Sequence, residues 1–297
     1  MLKDLNEIVM YGEYVLLIGN GINRKYNGGN WNNLLIKVIR EHLGEKSYLE
    51  NAVGQDGITN TEIQNIIPLE YNRKKGQRIQ EKELLTSVIA NIEKIKYDQV
   101  LMLDRCINDK CQILTTNYDL NIENYLWPEQ NHEMQRSQNS QYITSNYYPW
   151  DKSFGSHNDS SHNDGTRVWH IHGNINNWQS IILSLTRYIG AIHKANILLR
   201  NSSPYDDNWI GATTWLNYFF TKPLIIAGLA LDPQELFLRW LLLRRASINQ
   251  SQSHPKSAFY LARNDHDIST GKENFLKFVG VNICKIDDVY NDSVWEC

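Results

Sequence analysis

The sequence predicts an α/β fold: an open, doubly wound, mostly parallel sheet of Rossmann-like type with a small helical insertion. Three observations carry this expectation. Short apolar runs recur along the 297 residues, most of them continuous rather than alternating, as strands covered on both faces require. Helical patterns lie between the runs, and strand–helix alternation argues for a parallel sheet. Glycine or polar residues follow several runs directly, at the carboxyl ends of strands where open sheets bind ligands.

The runs, in order, are Tyr14–Ile18 (YVLLI), Gln112–Thr116 (QILTT), Val168–Ile171, Leu224–Gly228 (LIIAG), Ala258–Ala262 (AFYLA) and Val281–Ile286 (VNICKI). Between them, NWNNLLIKVIREHL places Trp31, Leu34, Leu35, Val38, Ile39 and Leu43 on one helical face. DPQELFLRWLLLRRA is predicted to start at Asp232 and Pro233, a helix cap and first-turn pair, and to end in Arg244, Arg245 and Ala246. Residues 45–105 are helical in pattern without a clear strand and read as an insertion or cap. Residues 128–166 are polar and predicted to be a mobile loop; they hold SHND at Ser156–Asp159 and again at Ser161–Asp164. Solvated polarity explains His157, Asp159, His162 and Asp164 better than a metal. The cluster Arg73, Lys74, Lys75 and Arg78 reads as a solvated helix face or turn. The apolar face of TTWLNYFF (Thr213–Phe220) is either core or a docking surface. All of this fits a single domain, 1–297.

A net charge of −3 gives no general attraction to nucleic acid or an anionic membrane, so no direct contact with either is expected. No basic-then-apolar leader and no run of ~18 to 20 apolar residues is present, which predicts a cytoplasmic protein. Cys106, Cys111, Cys284 and Cys297 form no CxxC pair and read as reduced structural thiols.

Three strand ends carry chemistry. The first runs into IGNGIN, with Gly19, Asn20, Gly21 and Asn23. Glycines after a parallel strand let a backbone approach a pyrophosphate, yet the third glycine of a GxGxxG fingerprint is replaced by Arg24. A plain tight turn remains an equal reading. The second ends in TTNYD, with Thr115, Thr116, Asn117 and Asp119, which face a ligand crevice or cap the following LNIENYL helix. The third is HIHG: His170 and His172 lie two apart and share a face if both are in a strand. A lone strand histidine is more often structural, but these three strand ends should converge.

The ordered set GNGIN, TTNYD, HG and LIIAGLALDPQE resembles the sirtuin-like NAD-consuming fold. More narrowly, it resembles the sirtuin-like NADases of bacterial anti-phage defence. The resemblance spans roughly residues 14 to 245 in motif order. It implies a sirtuin-like fold with NAD as substrate: Gly19 and Gly21 near the phosphates, Asn117 on the nicotinamide-side ribose or the water, Asp119 at the carboxamide. His172 would be the base and His170 a structural neighbour; Gly228 and Leu229 would line the phosphate and adenosine ribose. Thr116 stands where deacylases carry glutamine, Leu229 and Ala230 where they carry hydroxyl residues, and the cysteine-bound zinc module is missing. These departures favour hydrolysis of NAD over protein deacylation, with no metal required.

Nicotinamide leaves NAD as an already cationic ring, so little acid help is needed. A neutral imidazole accepts the proton of water or of a ribose hydroxyl, and Gly173 is expected to let the main chain pass close to the sugar. Three readings follow: an NAD glycohydrolase, an idle NAD or nucleotide sensor, or a deacylase or ADP-ribosyltransferase. An unregulated NADase would kill its host. The resemblance therefore implies a regulatory sensor subunit, with homo-oligomerisation as another means of control.

Overall fold

Each of the six apolar runs becomes a strand of one sheet. The structure is a computed structural model and describes residues 2–21, 31–45, 47–92, 110–129, 133–136, 150–155, 165–200, 202–263 and 268–286. The first half contains α1 (Leu2–Tyr11), β1 (Val15–Ile18), α2 (Trp31–Leu43), α3 (Tyr48–Ala52), α4 (Asn60–Lys75), α5 (Glu81–Ala90), β2 (Gln112–Thr115) and α6 (Asn121–Leu126). Then follow β3 (Gln135–Arg136), β4 (Lys152–Ser153), β5 (Arg167–His170), α7 (Leu185–Arg200), α8 (Trp215–Thr221) and β6 (Leu224–Ala227). The chain closes with α9 (Leu236–Gln250), β7 (Ala258–Arg263), α10 (Thr270–Phe278) and β8 (Asn282–Ile286).

The strand order is β5-β2-β1-β6-β7-β8, and every neighbouring pair is parallel. The chain winds outward from β1 through β2 to β5, then returns to the other side of β1 with β6. That reversal between β1 and β6 opens a crevice at their carboxyl ends. Every residue of β1, β2, β5 and β6 is buried, which is why these runs do not alternate.

Alternate side chains of the central strands feed two cores. Val15, Leu17, Leu114, Trp169 and Ile226 pack with Leu198 of α7, Phe219 of α8 and Leu241 of α9. Leu16, Ile18, Ile113, Val168 and Ile225 pack with Leu5 of α1 and Ile122 of α6. Each such buried aliphatic side chain contributes roughly 1.5–3 kcal/mol of transfer free energy. A third core joins α2 to α5 through Leu35, Val38, Ile39, Ile63, Ile67 and Val88, and takes in Ile181 and Leu183 from the loop after β5. The helical segment is thereby fastened to the histidine-bearing end of the sheet.

Several sequence expectations are corrected. The described part of the polar stretch is docked rather than loose. β3 pairs with β4, Phe154 exchanges backbone hydrogen bonds with Val168, and the Trp150 ring stacks on Trp215 at 5.4 Å. Asp151 is fully buried and ion-paired with Arg136 at 3.2 Å. The Phe154 backbone thereby covers part of the edge strand β5, where an open edge would otherwise be a liability, and Trp150 fastens the segment to α8. The SHND repeats lie outside the described residues. Trp215, Leu216, Phe219 and Phe220 are all buried, so the TTWLNYFF face is core and not a docking surface. Helix α9 begins at Leu236, not at Pro233. Gly228 (φ 65°) and Leu231 (φ 52°) first swing the chain, and the Glu235 amide closes a turn onto the Asp232 carbonyl. Arg73, Lys74 and Lys75 end α4 on an exposed face, with Arg73 paired to Glu70. Among the described residues, no helix is long and apolar enough to cross a membrane.

Candidate active site

The turn after β2 is held from below. The Thr115 hydroxyl accepts the Asn117 amide at 3.1 Å, and the Thr116 amide bonds the Ile18 carbonyl at 3.0 Å. His170 Nδ1 lies 2.8 Å from the Asn117 carbonyl, which can only accept, so that nitrogen donates. His170 Nε2 lies 2.6 Å from Glu123 Oε1, with both side chains wholly buried. Burial opposes a charge on His170, but Glu123, with help from the Asn117 carbonyl, outweighs it and raises its pKa. His170 is thus an imidazolium strut that fixes the Asn117 backbone. Asp119 Oδ1 accepts the amide of Asn121, the first residue of α6, at 3.0 Å.

Above this strut the polar atoms of Asn117 are unspent. The residue is buried, and neither its Oδ1 nor its Nδ2 has a hydrogen-bond partner among the described residues. His172 Nε2 is orphaned in the same way. Burial alone depresses the His172 pKa to about 3, leaving the imidazole neutral across the physiological range. β5 ends at His170, so the two histidines do not share a strand face. His170 meets Phe154 and Glu123; His172 turns the other way, edge-on to Tyr188 at 5.4 Å and stacked near Phe237 at 6.3 Å.

Gly173 has a different job from the one expected. At φ 85° any side chain there is strained, and a Cβ would run into the Ser180 carbonyl. The close approach is made by the protein's own loop, and Gly173 is not on the cavity wall. That loop folds back so that the Ile182 amide bonds the His172 carbonyl at 2.8 Å, which fixes the imidazole.

The glycine turns after β1 and β6 pack against each other. The Gly19 amide bonds the Ala227 carbonyl at 3.1 Å, and the Gly21 amide bonds the Gly228 carbonyl at 2.8 Å. A Cβ on Gly19 would sit 2.6 Å from the Gly228 oxygen. These two amides are spent on the neighbouring turn, so a pyrophosphate must find other donors.

Between these turns and the helical segment lies a cavity of about 400 Å³. Asn20, Gly21, Thr116, Asn117, Asp119, His172, Gly228 and Leu229 line it from the sheet side. Trp31, Asn32, Lys37 and Asn60 line it from the helices. Asn60 staples the two sides: its side chain donates to Asn32 Oδ1 at 2.8 Å, and its amide donates to Gln234 Oε1 at 3.1 Å. The turn before α9 adds Asp232 and Glu235 to the wall. Burial drives the Glu235 pKa upward, a hydrogen bond from Tyr188 opposes, and the Asp232 charge adds to the rise, which ends at about 7.

A sequence model of the SIR2-like domain family matches residues 112–283. The chain belongs to the SIR2-like domain family. No curated protein matches it. The matched span of this SIR2-like chain begins at β2 and ends in β8, so it includes Asn117, His172 and Glu235 but neither the β1 glycine turn nor the helical segment. Membership points to NAD-related chemistry.

Of the residues predicted from sequence, Asn20, Gly21, Thr116, Asn117, Asp119, His172, Gly228 and Leu229 meet on the cavity wall. Gly19 and Thr115 lie behind it as packing and turn supports, and Asn23 lies outside the described residues. Sequence reasoning missed Tyr188, Asp232 and Glu235. The two acids stand where a helix N-terminus prefers acids in any case, so nothing in the sequence set them apart. Among the described residues no group of three or more His, Cys, Asp or Glu side chains is placed to hold a metal ion. Cys111 and Cys284 are free thiols, with Cys111 held protonated by burial.

Proposed function

We propose that this SIR2-like chain hydrolyses NAD to nicotinamide and ADP-ribose. The observation that carries the reading is the pair of orphaned polar groups, the Asn117 amide and His172 Nε2, facing one cavity at the sheet's switch point. Buried polar groups are ordinarily satisfied, and a cluster of exceptions in a cavity marks where a ligand supplies the partners. The Asn117 amide has both a donor and an acceptor to offer a ribose diol and water. Asp119 stands in the same turn for a carboxamide, and His172 offers a neutral acceptor. Holding the ribose and water in register is the larger share of the catalysis, because the departing ring is already cationic.

NAD cleavage by such an enzyme depletes the cell's NAD, which suits an anti-phage effector that sacrifices its host. A regulatory partner or self-assembly holds it in check. The test is to incubate the purified protein with NAD and follow nicotinamide release. Release that is lost in Asn117→Ala supports the reading. NAD binding without release makes the chain a nucleotide-sensing subunit, and release only with acyl-lysine peptide makes it a deacylase.

A further inference from the structure

His172 is well placed but weak. Among the described residues no carboxylate pairs with it to support a proton, and burial leaves it neutral down to about pH 3. Such a nitrogen accepts a hydrogen bond readily but does not carry off a proton near neutrality.

The same wall carries a second acceptor. Glu235 closes the turn between β6 and α9 and is half-buried on the cavity wall. Tyr188 of α7 joins the two groups: its hydroxyl donates to Glu235 Oε2 at 3.4 Å while its ring packs edge-on against His172. The other ionisable groups about Glu235 are Asp232 from its own turn and Tyr118 from the turn after β2. Lys37 of α2 and Asp119 border the cavity as well. No cation is paired with Glu235 among the described residues; its nearest charged influence, Asp232, is negative. A shielded carboxylate without a counter-charge is costly. A cationic ligand in the cavity would offset that cost, and a cation that grows during reaction would offset it most.

On the reading that NAD is the substrate, we infer that Glu235 is a catalytic residue: it faces the nicotinamide ribose and takes the proton of the attacking water. The ribose C1′–nitrogen bond breaks with its electron pair going to the ring, which leaves as neutral nicotinamide. The water oxygen bonds C1′, and its proton passes to the Glu235 carboxylate and then to solvent. His172 accepts a hydrogen bond from a ribose hydroxyl and stays neutral. A carboxyl group with a pKa near 7 is matched to this duty.

The test compares wild type, Glu235→Gln and Glu235→Asp as full chains at high protein concentration. Nicotinamide release is followed from pH 5.5 to 8.5, and affinities for NAD and NADH are measured by calorimetry. Wild-type kcat should rise with pH through a midpoint near 7 to a plateau above it. Glu235→Gln should fall ~10²-fold or more and lose that limb, while Glu235→Asp keeps the limb at a reduced rate. The preference for cationic NAD over NADH should shrink in Glu235→Gln, a readout that needs no turnover. Wild-type rate and limb in Glu235→Gln overturn the assignment and leave the NAD reading standing. A slower Glu235→Gln with the limb in place makes Glu235 merely structural, as does an unchanged NAD preference in a chain that binds without turnover. A wild type that neither binds nor cleaves NAD overturns the NAD reading itself and the assignment with it.

Discussion

At the scale of single residues, two histidines two positions apart have opposite electrostatics. His170 is raised by Glu123, so its contribution to stability is full below the ordinary histidine pKa of about 6.5 and is lost as pH rises through the folded value. His172 is depressed to about 3, so its contribution is full above about 6.5 and is lost as pH falls toward 3. At pH 5 the fold's refusal to protonate His172 costs about 2 kcal/mol. Urea unfolding of His172→Gln at pH 7 and pH 5 should show the gap between the two pH values narrowed by about that amount; an unchanged gap would mean that His172 is solvated. His170→Ala strands the buried Glu123 and should cost roughly 3–5 kcal/mol. Asn117→Ala removes two unpartnered polar atoms. Its melting temperature should stay level or rise while NAD cleavage drops ~10²-fold or more, and a drop in melting temperature would show that the amide has a structural partner.

At the scale of elements, turns do the positioning. β5 stops at His170 because the chain must turn at Gly173 to let Ser180 fold against it, and this aims His172 at Tyr188. Gly173→Ala should destabilise the protein by more than ~2 kcal/mol, since strain at positive φ adds to the collision with the Ser180 carbonyl. Calorimetric unfolding would reveal it, and a loss below ~0.5 kcal/mol would contradict the described loop. At the end of the sheet away from the cleft, Arg245 of α9 is buried and donates to the carbonyls of Phe219, Lys222, Lys256 and Ser257. Sequence reading placed Arg245 at an ordinary basic helix end. The structure makes it the tie from the helix that follows Glu235 to the amino ends of β6 and β7.

At the scale of the whole molecule, the site exists because three cores meet. The sheet brings the ends of β1, β2 and β6 together, and the α2–α5 core closes the cavity by gripping Ile181 and Leu183 beyond His172. If assembly or a partner controls the enzyme, it acts by favouring one arrangement of these parts. NAD turnover per chain should then climb with protein concentration or with added partner. Full, concentration-independent turnover by a monomer would remove that proposal. On the proposed NAD cleavage the leaving ring is cationic, so turnover should also persist in a chelator; loss that is restored by a divalent ion would show a metal requirement.

The strands were legible because burial on both faces demands continuous apolar runs, and no other pattern of Val, Ile and Leu serves a parallel sheet as well. The strand-end motifs were legible because glycine and short polar residues are needed wherever a buried strand must stop at a crevice. The sequence by itself therefore determined the α/β class, the six strands of the sheet and the places where chemistry could stand. Tertiary structure decided the rest, since it turns on distances between residues far apart in the chain. Only the fold sends His170 to Glu123 and His172 to an orphaned position in the cavity. Only the fold spends the Gly19 and Gly21 amides on a neighbouring turn. And only the fold makes Glu235, an unremarkable helix-start acid in the sequence, a carboxylate without a counter-charge among the described residues: a charge's environment is a property of three-dimensional neighbours, which no local pattern records.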